Sequence, residues 1–444
     1  MTLTPPPIPG GLLDRWCRIM SDGSESPPGA FLPSGLALLS ATVGPRMTLT
    51  WGNAHTERMN LWVLNVGMSA LDRKTSGLSG LRAAIKWTLE AGDDLIRLHN
   101  VHRISDAGLV THLDIVTKDT EKARKTDADH PEVHRPVPLS WVCLFNEVAS
   151  VWKDDPRGWE AEAQRSLLSI YDGQLSSTTK ATNVPTQDCF VTAVGNIPPG
   201  VLKEQTTLQM LASGFVGRWL IIPTPPPETI VSFPPAPHGH DPLNPPRVDV
   251  SRRMRLGRKD VCVNVNGLWT KEAIDYRHAW YKAHYDTARR RGDDDPLRRA
   301  ASELFGRLQA TAIKVATLLA VSRSVEDLDG LGDVRVEVED ARWAQDVIDR
   351  SIHYMIGSLN DSGAVARTVA GKVEGRILRW LEKQEAVGPD RSVTVSRVAD
   401  MAKGGDVSRL DISRALDTLV NVGAVRVESD GRGRRVWLLQ EAAA

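Results

Sequence analysis

The chain has 444 residues, of which 41% are hydrophobic and 25% are charged, and its 55 Lys and Arg residues balance 55 Asp and Glu residues. This composition excludes global disorder, and the zero net charge excludes nucleic-acid binding driven by a field of the whole chain. Any DNA contact must therefore be local, and the length predicts two or three domains.

The cysteines are widely scattered and form no C-x-x-C pair, which predicts reduced thiols in the core and a cytoplasmic protein. They are Cys17, Cys143, Cys189 and Cys262. The sequence does not open with a signal-peptide pattern, and no apolar run reaches about 18 residues. We therefore expect a soluble protein that does not bind to membranes.

The first fifty residues are predicted to be a helical segment that leads into the core. After a Pro-rich start, residues 12–20 and 30–43 have helical patterns, separated by the loop SDGSESPPG. The second pattern, PSGLALLSATVG, mixes small and large apolar residues as a buried helix does.

Residues 60–80, NLWVLNVGMSALDRKTSGLSG, have the layout of a phosphate-binding loop. An apolar run ending at Val66 predicts a buried strand, and an apolar helical pattern begins near Leu78. In such loops the backbone N–H groups and the helix N-terminus face the anion, a lysine reaches the β and γ phosphates, and a hydroxyl binds magnesium. The candidate nucleotide-binding residues here are Gly67, Ser69, Arg73, Lys74, Thr75 and Ser76.

This loop departs from the usual motif, in which glycine directly precedes the lysine and the first glycine lies six positions before it. Here Arg73 precedes Lys74, and Gly67 lies seven positions before the lysine. The loop alone therefore does not distinguish a phosphate-binding site from an ordinary strand-to-helix turn with a solvated Arg-Lys pair.

Further strands follow, and together they predict an α/β core over residues 51–222. The run 139–148 ends in Asn146-Glu147, and an acid at the tip of a buried parallel strand suits a metal-orienting and water-activating role, although many strands simply end in polar residues. Residues 159–171 form a helical pattern, and 174–184 predict a hairpin centred on Lys180. The run 189–194 leads to Asn196, and 214–222 predicts another strand with Arg218 at its start.

A Pro-rich linker is predicted over residues 223–260, followed by a helical lid over 261–360. The lid contains helical patterns at 271–290, 297–321 and 336–358. The middle pattern, LFGRLQATAIKVATLLA, is strongly apolar and includes Arg307.

Residues 371–440 predict a winged-helix domain, with three helices followed by two short strands at 425–428 and 435–439. The third helix, 408–422, has Ile412, Leu416, Leu419 and Val420 as its apolar residues. The domain has 13 Lys and Arg residues against 10 Asp and Glu residues, a net charge of +3. Protein contact and DNA contact both remain open for such a domain, and the DNA-binding candidates are Arg409, Arg414, Arg432, Arg434 and Arg435.

The order of these motifs resembles the core of an AAA+ helicase, with a layout similar to the minichromosome-maintenance helicases. It is also similar to a family of P-loop ATPases of unknown function from phages and plasmids, often found beside primases. In that family the loop commonly has Arg-Lys followed by Gly, Ser or Thr, and later blocks are similar to SLLSIYDG, VTAVGNIPP and SGFVGRWLIIP in this chain. The resemblance covers residues 30–325.

The resemblance implies a role for each motif. Lys74 with Thr75 or Ser76 would be the Walker A pair, and Asn146-Glu147 would be Walker B, with Thr75 and Asn146 next to Mg²⁺. Lys180 would lie on a DNA-gripping hairpin. Asn196 would be sensor 1, Arg218 the arginine finger that acts on a neighbour's ATP, and Arg307 the sensor 2 arginine of the lid. Two departures are Asp72 inside the loop and Asn146 in place of the usual aspartate.

The resemblance thus implies an ATP- and Mg²⁺-dependent DNA helicase or translocase of a phage or mobile element. It would form a hexameric ring on single-stranded or forked DNA, with a primase or another replication protein as a further partner. Glu147, Asn196 and Arg218 would be its catalytic residues. The alternative is a degenerate P-loop protein that does not hydrolyse ATP and acts as a DNA-binding replication initiator or assembly factor.

Overall fold

A computed structural model describes the chain over most of its helices and strands. The described residues are 5–22, 24, 26–51, 55–67, 74–90, 96–101, 113, 140–146, 148–152, 159–179, 182–207, 210–211, 213–224, 261–264, 268–290, 296–324, 334–361, 369–402, 409–421, 424–429 and 433–439. The chain divides into two compact units, Met1–Ser358 and Leu359–Ala444. Residues 261–358 of the predicted helical lid fall in the first of these units, together with the central sheet.

The first unit alternates strands and helices. Its helices are α1 (Gly11–Asp22), α2 (Leu32–Val43), α3 (Lys74–Glu90), α4 (Trp159–Tyr171), α5 (Pro199–Gln205), α6 (Lys271–Arg290), α7 (Pro296–Ser324) and α8 (Val338–Asp361). Its strands are β1 (Met47–Trp51), β2 (His55–Arg58), β3 (Trp62–Val66), β4 (Ile96–Val101), β5 (Ser140–Phe145), β6 (Gln174–Thr179), β7 (Thr182–Asp188), β8 (Phe190–Ile197), β9 (Trp219–Pro223) and β10 (Val261–Asn264).

Five of the described strands form a parallel central sheet in the order β4-β5-β8-β3-β9. Every described residue of β3, β5 and β8 is buried, as expected for inner strands of a parallel sheet covered on both faces. The predicted strands at 61–66, 139–148 and 189–194 are confirmed, and so is an α/β fold with a central parallel sheet. The polar strand β4 was not predicted.

The first fifty residues supply part of the core. Helix α2 packs against β3, β5 and β8, and every one of its residues is buried. Helix α1 packs close to α3, since a Cβ at Gly80 would lie 2.1 Å from Cε of Met20. The absence of a side chain at Gly80 therefore permits this approach, and the two N-terminal helices support α3.

A second small sheet and three long helices complete this unit. Strand β1 pairs with β10 in parallel and with β2 in the antiparallel sense. The helical patterns at 271–290, 297–321 and 336–358 are confirmed as α6, α7 and α8. Among the described residues, Ala300–Ser324 is the one helical segment long and apolar enough to cross a membrane, and 78% of its most apolar window is buried, as in a core helix.

The second unit contains α9 (Val369–Lys383), β11 (Val393–Thr394), α10 (Val395–Ala402), α11 (Arg409–Asn421), β12 (Val425–Ser429) and β13 (Arg434–Leu438). Its described strands form an antiparallel sheet in the order β11-β13-β12. The three predicted helices and the predicted hairpin are confirmed. Val420, expected on the apolar face of α11, is instead 41% exposed, whereas Ile412, Leu416 and Leu419 are buried in the core of this unit.

Candidate functional site

The central sheet has a topological switch point between β3 and β8. From β3 the chain passes through α3 to β4 at one edge of the sheet, whereas from β8 it passes to β9 on the other side of β3. Connections that leave neighbouring parallel strands in opposite directions open a crevice outside the carboxyl ends of those strands, and ligands bind there in open α/β sheets. The sheet therefore points to the ends of β3 and β8 as the first candidate for a site.

Polar side chains lie at this position. Asn65 of β3 is the register partner of Asn196 of β8, and the two are 3% and 0% exposed. The hydroxyl of Thr224, directly after β9, donates a hydrogen bond to Oδ1 of Asn65, and its N–H donates to Val66 O at 2.7 Å. Gly67 N–H donates to Ile197 O at 3.2 Å. Asn196 thus lies inside the end of β8 rather than beyond its tip, beside the strand that enters the candidate loop.

The strand and the helix of the predicted phosphate-binding loop are both present. Strand β3 ends at Val66, and α3 begins at Lys74, four residues earlier than the apolar pattern suggested. A helix N-terminus with its unpaired N–H groups therefore begins at the candidate lysine. Ser69 and Arg73 lie outside the described residues, as do the side chains of Lys74 and Thr75, while Ser76 is half-buried in the first turn of α3.

The candidate Walker B pair follows β5. Asn146 is exposed directly after this strand, and Glu147 lies outside the described residues. The predicted hairpin is confirmed as β6 and β7, which pair in antiparallel fashion around residues 180–181. Lys180 itself, in that connection, lies outside the described residues.

Arg218 ends a 3-10 turn, Val216–Arg218, immediately before β9, rather than starting the strand. Its Nη2 donates to both carboxylate oxygens of Asp172, at 3.0 and 2.7 Å, and its Nε donates to Oδ1 at 3.3 Å. Its Nη1 donates to Gly214 O at 3.1 Å. The side chain of Arg218 is 13% exposed and that of Asp172 is 55% exposed, so the ion pair joins a largely buried cation to a surface carboxylate.

Arg307 of α7 lies across the backbone that leads to this turn. A Cβ at Gly214 would lie 2.2 Å from the guanidinium carbon of Arg307, and one at Gly217 would lie 2.6 Å from its Cδ. Gly214 also has φ of +78°, a conformation that favours glycine. The structure thus places the Arg307 side chain against the short segment that contains Arg218, a proximity that the sequence did not reveal.

Several residues around Arg218 were not among the predicted site residues. The ring of Tyr171, the last residue of α4, lies 5.5 Å from the guanidinium carbon of Arg218 and 5.0 Å from the ammonium of Lys314. Lys314 is buried and lies 2.8 Å from Oε1 of Glu57, and it donates to both oxygens of Asn60 at 3.2 Å. The sequence signal that could have identified these residues is YDG at the end of α4, in which Tyr171 and Asp172 are adjacent.

Among the DNA-binding candidates, Arg434 is exposed at the start of β13, and Arg435 donates to the hydroxyl of Ser392 at 3.2 Å. Arg432 lies outside the described residues, as do the side chains of Arg409 and Arg414 on α11. The hairpin β12-β13 is the part of this predicted surface that the structure describes.

The part of the chain that the structure describes contains no group of three His, Cys, Asp or Glu side chains arranged to hold a metal ion. Comparison of the sequence with known protein families and with curated proteins finds no match.

Proposed function

We propose that this chain is an ATP-dependent DNA helicase or translocase with an AAA+ type of core and a C-terminal winged helix. One observation carries the proposal: the candidate loop leaves the sheet at its switch point and runs into the N-terminus of α3 at Lys74. A parallel α/β sheet, a crevice and a helix N-terminus then coincide with a lysine, and this combination suits the phosphates of a nucleotide.

In this proposal ATP binds beside β3 and β8. Lys74 and the N–H groups of the first turn of α3 hold the β and γ phosphates, and Glu147 polarises the attacking water. Asn196, buried next to Asn65, helps to position that water. The hydrogen bond from the hydroxyl of Thr224 to Asn65 joins the end of β9 to β3 beside this position.

The residues present suit Mg²⁺ as the cofactor. Asn146 is exposed after β5 and offers a neutral amide oxygen, and Thr75 lies in the first turn of α3. In nucleotide sites Mg²⁺ takes few protein ligands and completes its shell with phosphate oxygens and water, so a cluster of carboxylates is not required. When bound, the ion would neutralise charge on the phosphates.

Arg218 would act on the ATP of a neighbouring copy in a hexameric ring, where an arginine finger can supply about 10³–10⁵ in rate. The Lys180 connection between β6 and β7 would grip the DNA backbone and move as ATP is hydrolysed. The second unit would add contacts to single-stranded or forked DNA through its basic hairpin, and a primase would be a further partner.

ATP turnover, measured with and without single-stranded DNA, tests this proposal. Lys74→Ala should abolish turnover, and Glu147→Gln should abolish turnover while leaving nucleotide binding intact. Lys86→Ala is the matched control, because Lys86 is an exposed lysine on the same helix. Equal rates of ATP turnover for Lys74→Ala and the parent protein would refute the proposal that this chain is an ATPase.

The same experiment identifies the alternative, a P-loop protein that binds DNA as an initiator or assembly factor without hydrolysing ATP. Asn146 favours this alternative, because it supplies no charge to the metal where an aspartate would. The result expected for it is binding of a fluorescent ATP analogue, lost in Lys74→Ala, with no turnover under any condition.

A further inference from the structure

One edge of the Arg218 guanidinium is fixed within its own chain. Asp172 accepts from Nε and Nη2, and Gly214 O accepts from one N–H of Nη1. A guanidinium has five N–H donors in a rigid plane, so these bonds set the direction of the plane, and the second N–H of Nη1 is not used in them.

The ring of Tyr171 lies near two cations. Arg218 lies 5.5 Å from its centroid and Lys314 lies 5.0 Å away, while the indole of Trp62 meets it edge-on at 5.3 Å. Cations are attracted to the face of an aromatic ring, and more strongly where water is excluded. Trp62 belongs to β3, so Tyr171 fixes Arg218 relative to the strand that enters the candidate loop.

The lysine near the ring is buried and forms an ion pair with Glu57. A buried ion pair is often no more stabilising than apolar residues of similar volume, so the presence of one suggests that it specifies a geometry. Lys314, on α7, reaches Glu57, Asn60 and the Tyr171 ring. It thereby joins α7, the segment before β3 and the end of α4 in one network.

We propose that Tyr171 and Asp172 are positioning residues for Arg218, held in place by Lys314, and that they orient its guanidinium towards the phosphates of a second copy of the chain. This inference rests on the proposed function and deepens it. Neither residue touches ATP. Their effect passes entirely through Arg218. A substitution of either residue should therefore lower turnover only in a subunit whose own Arg218 acts on the ATP of its neighbour.

Mixed assemblies of two inactive variants test this. A Lys74→Ala subunit keeps its arginine but has a disabled loop, and an Arg218→Ala subunit has an intact loop but no arginine. Each should be inactive alone. A 1:1 mixture should recover turnover, because random mixing leaves roughly a quarter of the interfaces with an intact lysine facing an intact arginine.

Tyr171→Leu is then placed in one member of the mixture at a time, and Asp172→Asn is treated in the same way. In the Lys74→Ala subunit, which supplies the arginine, each change should lower turnover about tenfold to a hundredfold, with KM for ATP unchanged. In the Arg218→Ala subunit the same change should have no effect. Tyr171→Phe keeps the ring and should restore turnover in the first arrangement.

Each outcome is distinct. Equal loss in both arrangements means that the residues support folding only, and no loss in either means that they do not position the arginine; both results overturn the inference. A mixture that stays inactive while the parent protein hydrolyses ATP shows that Arg218 does not act between copies, and this also overturns it. A parent protein without turnover overturns the proposed function itself. Circular dichroism melting confirms that each variant is folded.

Discussion

The ammonium of Lys314 lies 2.8 Å from the carboxylate of Glu57, and the lysine is fully buried. Burial lowers the pKa of Lys314, but the attraction of Tyr171 and Glu57 outweighs it, and the pKa lies above its ordinary value. The lysine is therefore a buried cation at neutral pH, with its charge compensated by one carboxylate and by the oxygens of Asn60.

Lys314→Met should destabilise the first unit by about 3–5 kcal/mol, because it removes the buried ammonium that the Glu57 carboxylate and the oxygens of Asn60 face. Chemical denaturation followed by tryptophan fluorescence measures this change. The double variant Lys314→Met with Glu57→Gln removes both charges and should recover most of the loss. A single variant as stable as the parent protein would show that the ion pair contributes nothing to folding.

Gly195→Ala should destabilise the protein by about 1–3 kcal/mol, since the sheet next to Asn196 has no room for a methyl group. The new Cβ would lie 2.0 Å from Cγ2 of Val148 and 3.3 Å from Cδ1 of Leu64. Nucleotide affinity should fall with it. The control is Gly306→Ala in α7, where nothing lies within 4 Å and the helix should gain about 0.5–1 kcal/mol. Thermal melting of both variants measures these changes in stability. A melting temperature that rises in Gly195→Ala contradicts the packing described here.

Much of the fold follows from patterns visible in the sequence. The apolar runs of β3, β5 and β8 are long enough to identify buried parallel strands without knowing their neighbours. Strand β4 escapes this reasoning, because the four residues between Ile96 and Val101 are only partly buried and its sequence, IRLHNV, is mixed. Among the strands that the structure describes it lies at the edge of the sheet, where polar residues are common.

The site is only partly predictable, because its geometry depends on pairs that are distant in sequence. The resemblance indicates Asn196, at the end of an apolar run, but its partner Asn65 emerges only from the register of two strands. Arg218 and Asp172 are 46 positions apart, and Lys314 lies 254 positions from Asn60. Local periodicity contains no information about such pairs, so the network around Arg218 required the structure.

Arg434→Ala should weaken DNA binding by a similar factor for all sequences and reduce the slope of log K against log salt by about 1, as expected for the loss of one phosphate contact. Arg434 is exposed at the start of β13. Arg391→Ala is the matched control, since Arg391 is also an exposed arginine of this unit but is paired with Glu385 at 2.7 Å. Fluorescence anisotropy over a salt series provides the measurement. If the slope of log K against log salt is unchanged in Arg434→Ala, Arg434 does not contact a phosphate, and the hairpin is then better explained as a protein-contact surface.

Cysteine alkylation should spare three of the four thiols in the native protein. Cys17, Cys143 and Cys189 are buried, reduced thiols, as the sequence predicted. Burial raises the pKa of Cys143 to about 12, and it also raises the pKa of Cys17. At pH 8 only about one Cys143 thiol in ten thousand would be ionised, and the thiolate is the reactive form. Peptide mapping after iodoacetamide treatment should show label at these three positions only after unfolding, and rapid labelling in the native state contradicts their burial.

The stability of the first unit should depend on pH through His284. Its Nε2 lies 3.1 Å from Oδ1 of Asp349, and its ring stacks on Phe305 with centroids 4.4 Å apart. The hydrogen bond to Asp349 is the main reason that the pKa of His284 is raised, although partial burial opposes it. A group whose pKa is higher in the folded state binds its proton more tightly there. Its contribution is therefore complete below the unfolded pKa of about 6.5 and is lost as pH rises through the folded pKa.

His284→Gln tests this because glutamine can still donate to Asp349 but does not titrate. The difference in unfolding free energy between the parent protein and the variant should be largest near pH 6 and should shrink as the pH rises above the folded pKa. His353→Gln is the control for the loss of a histidine from this unit, since His353 is an exposed histidine on the same helix as Asp349. Urea titrations across this range measure the difference. If this difference in unfolding free energy instead widens with rising pH, the folded state favours neutral His284. The ion pair with Asp349 is then not what holds α6 to α8 at this point.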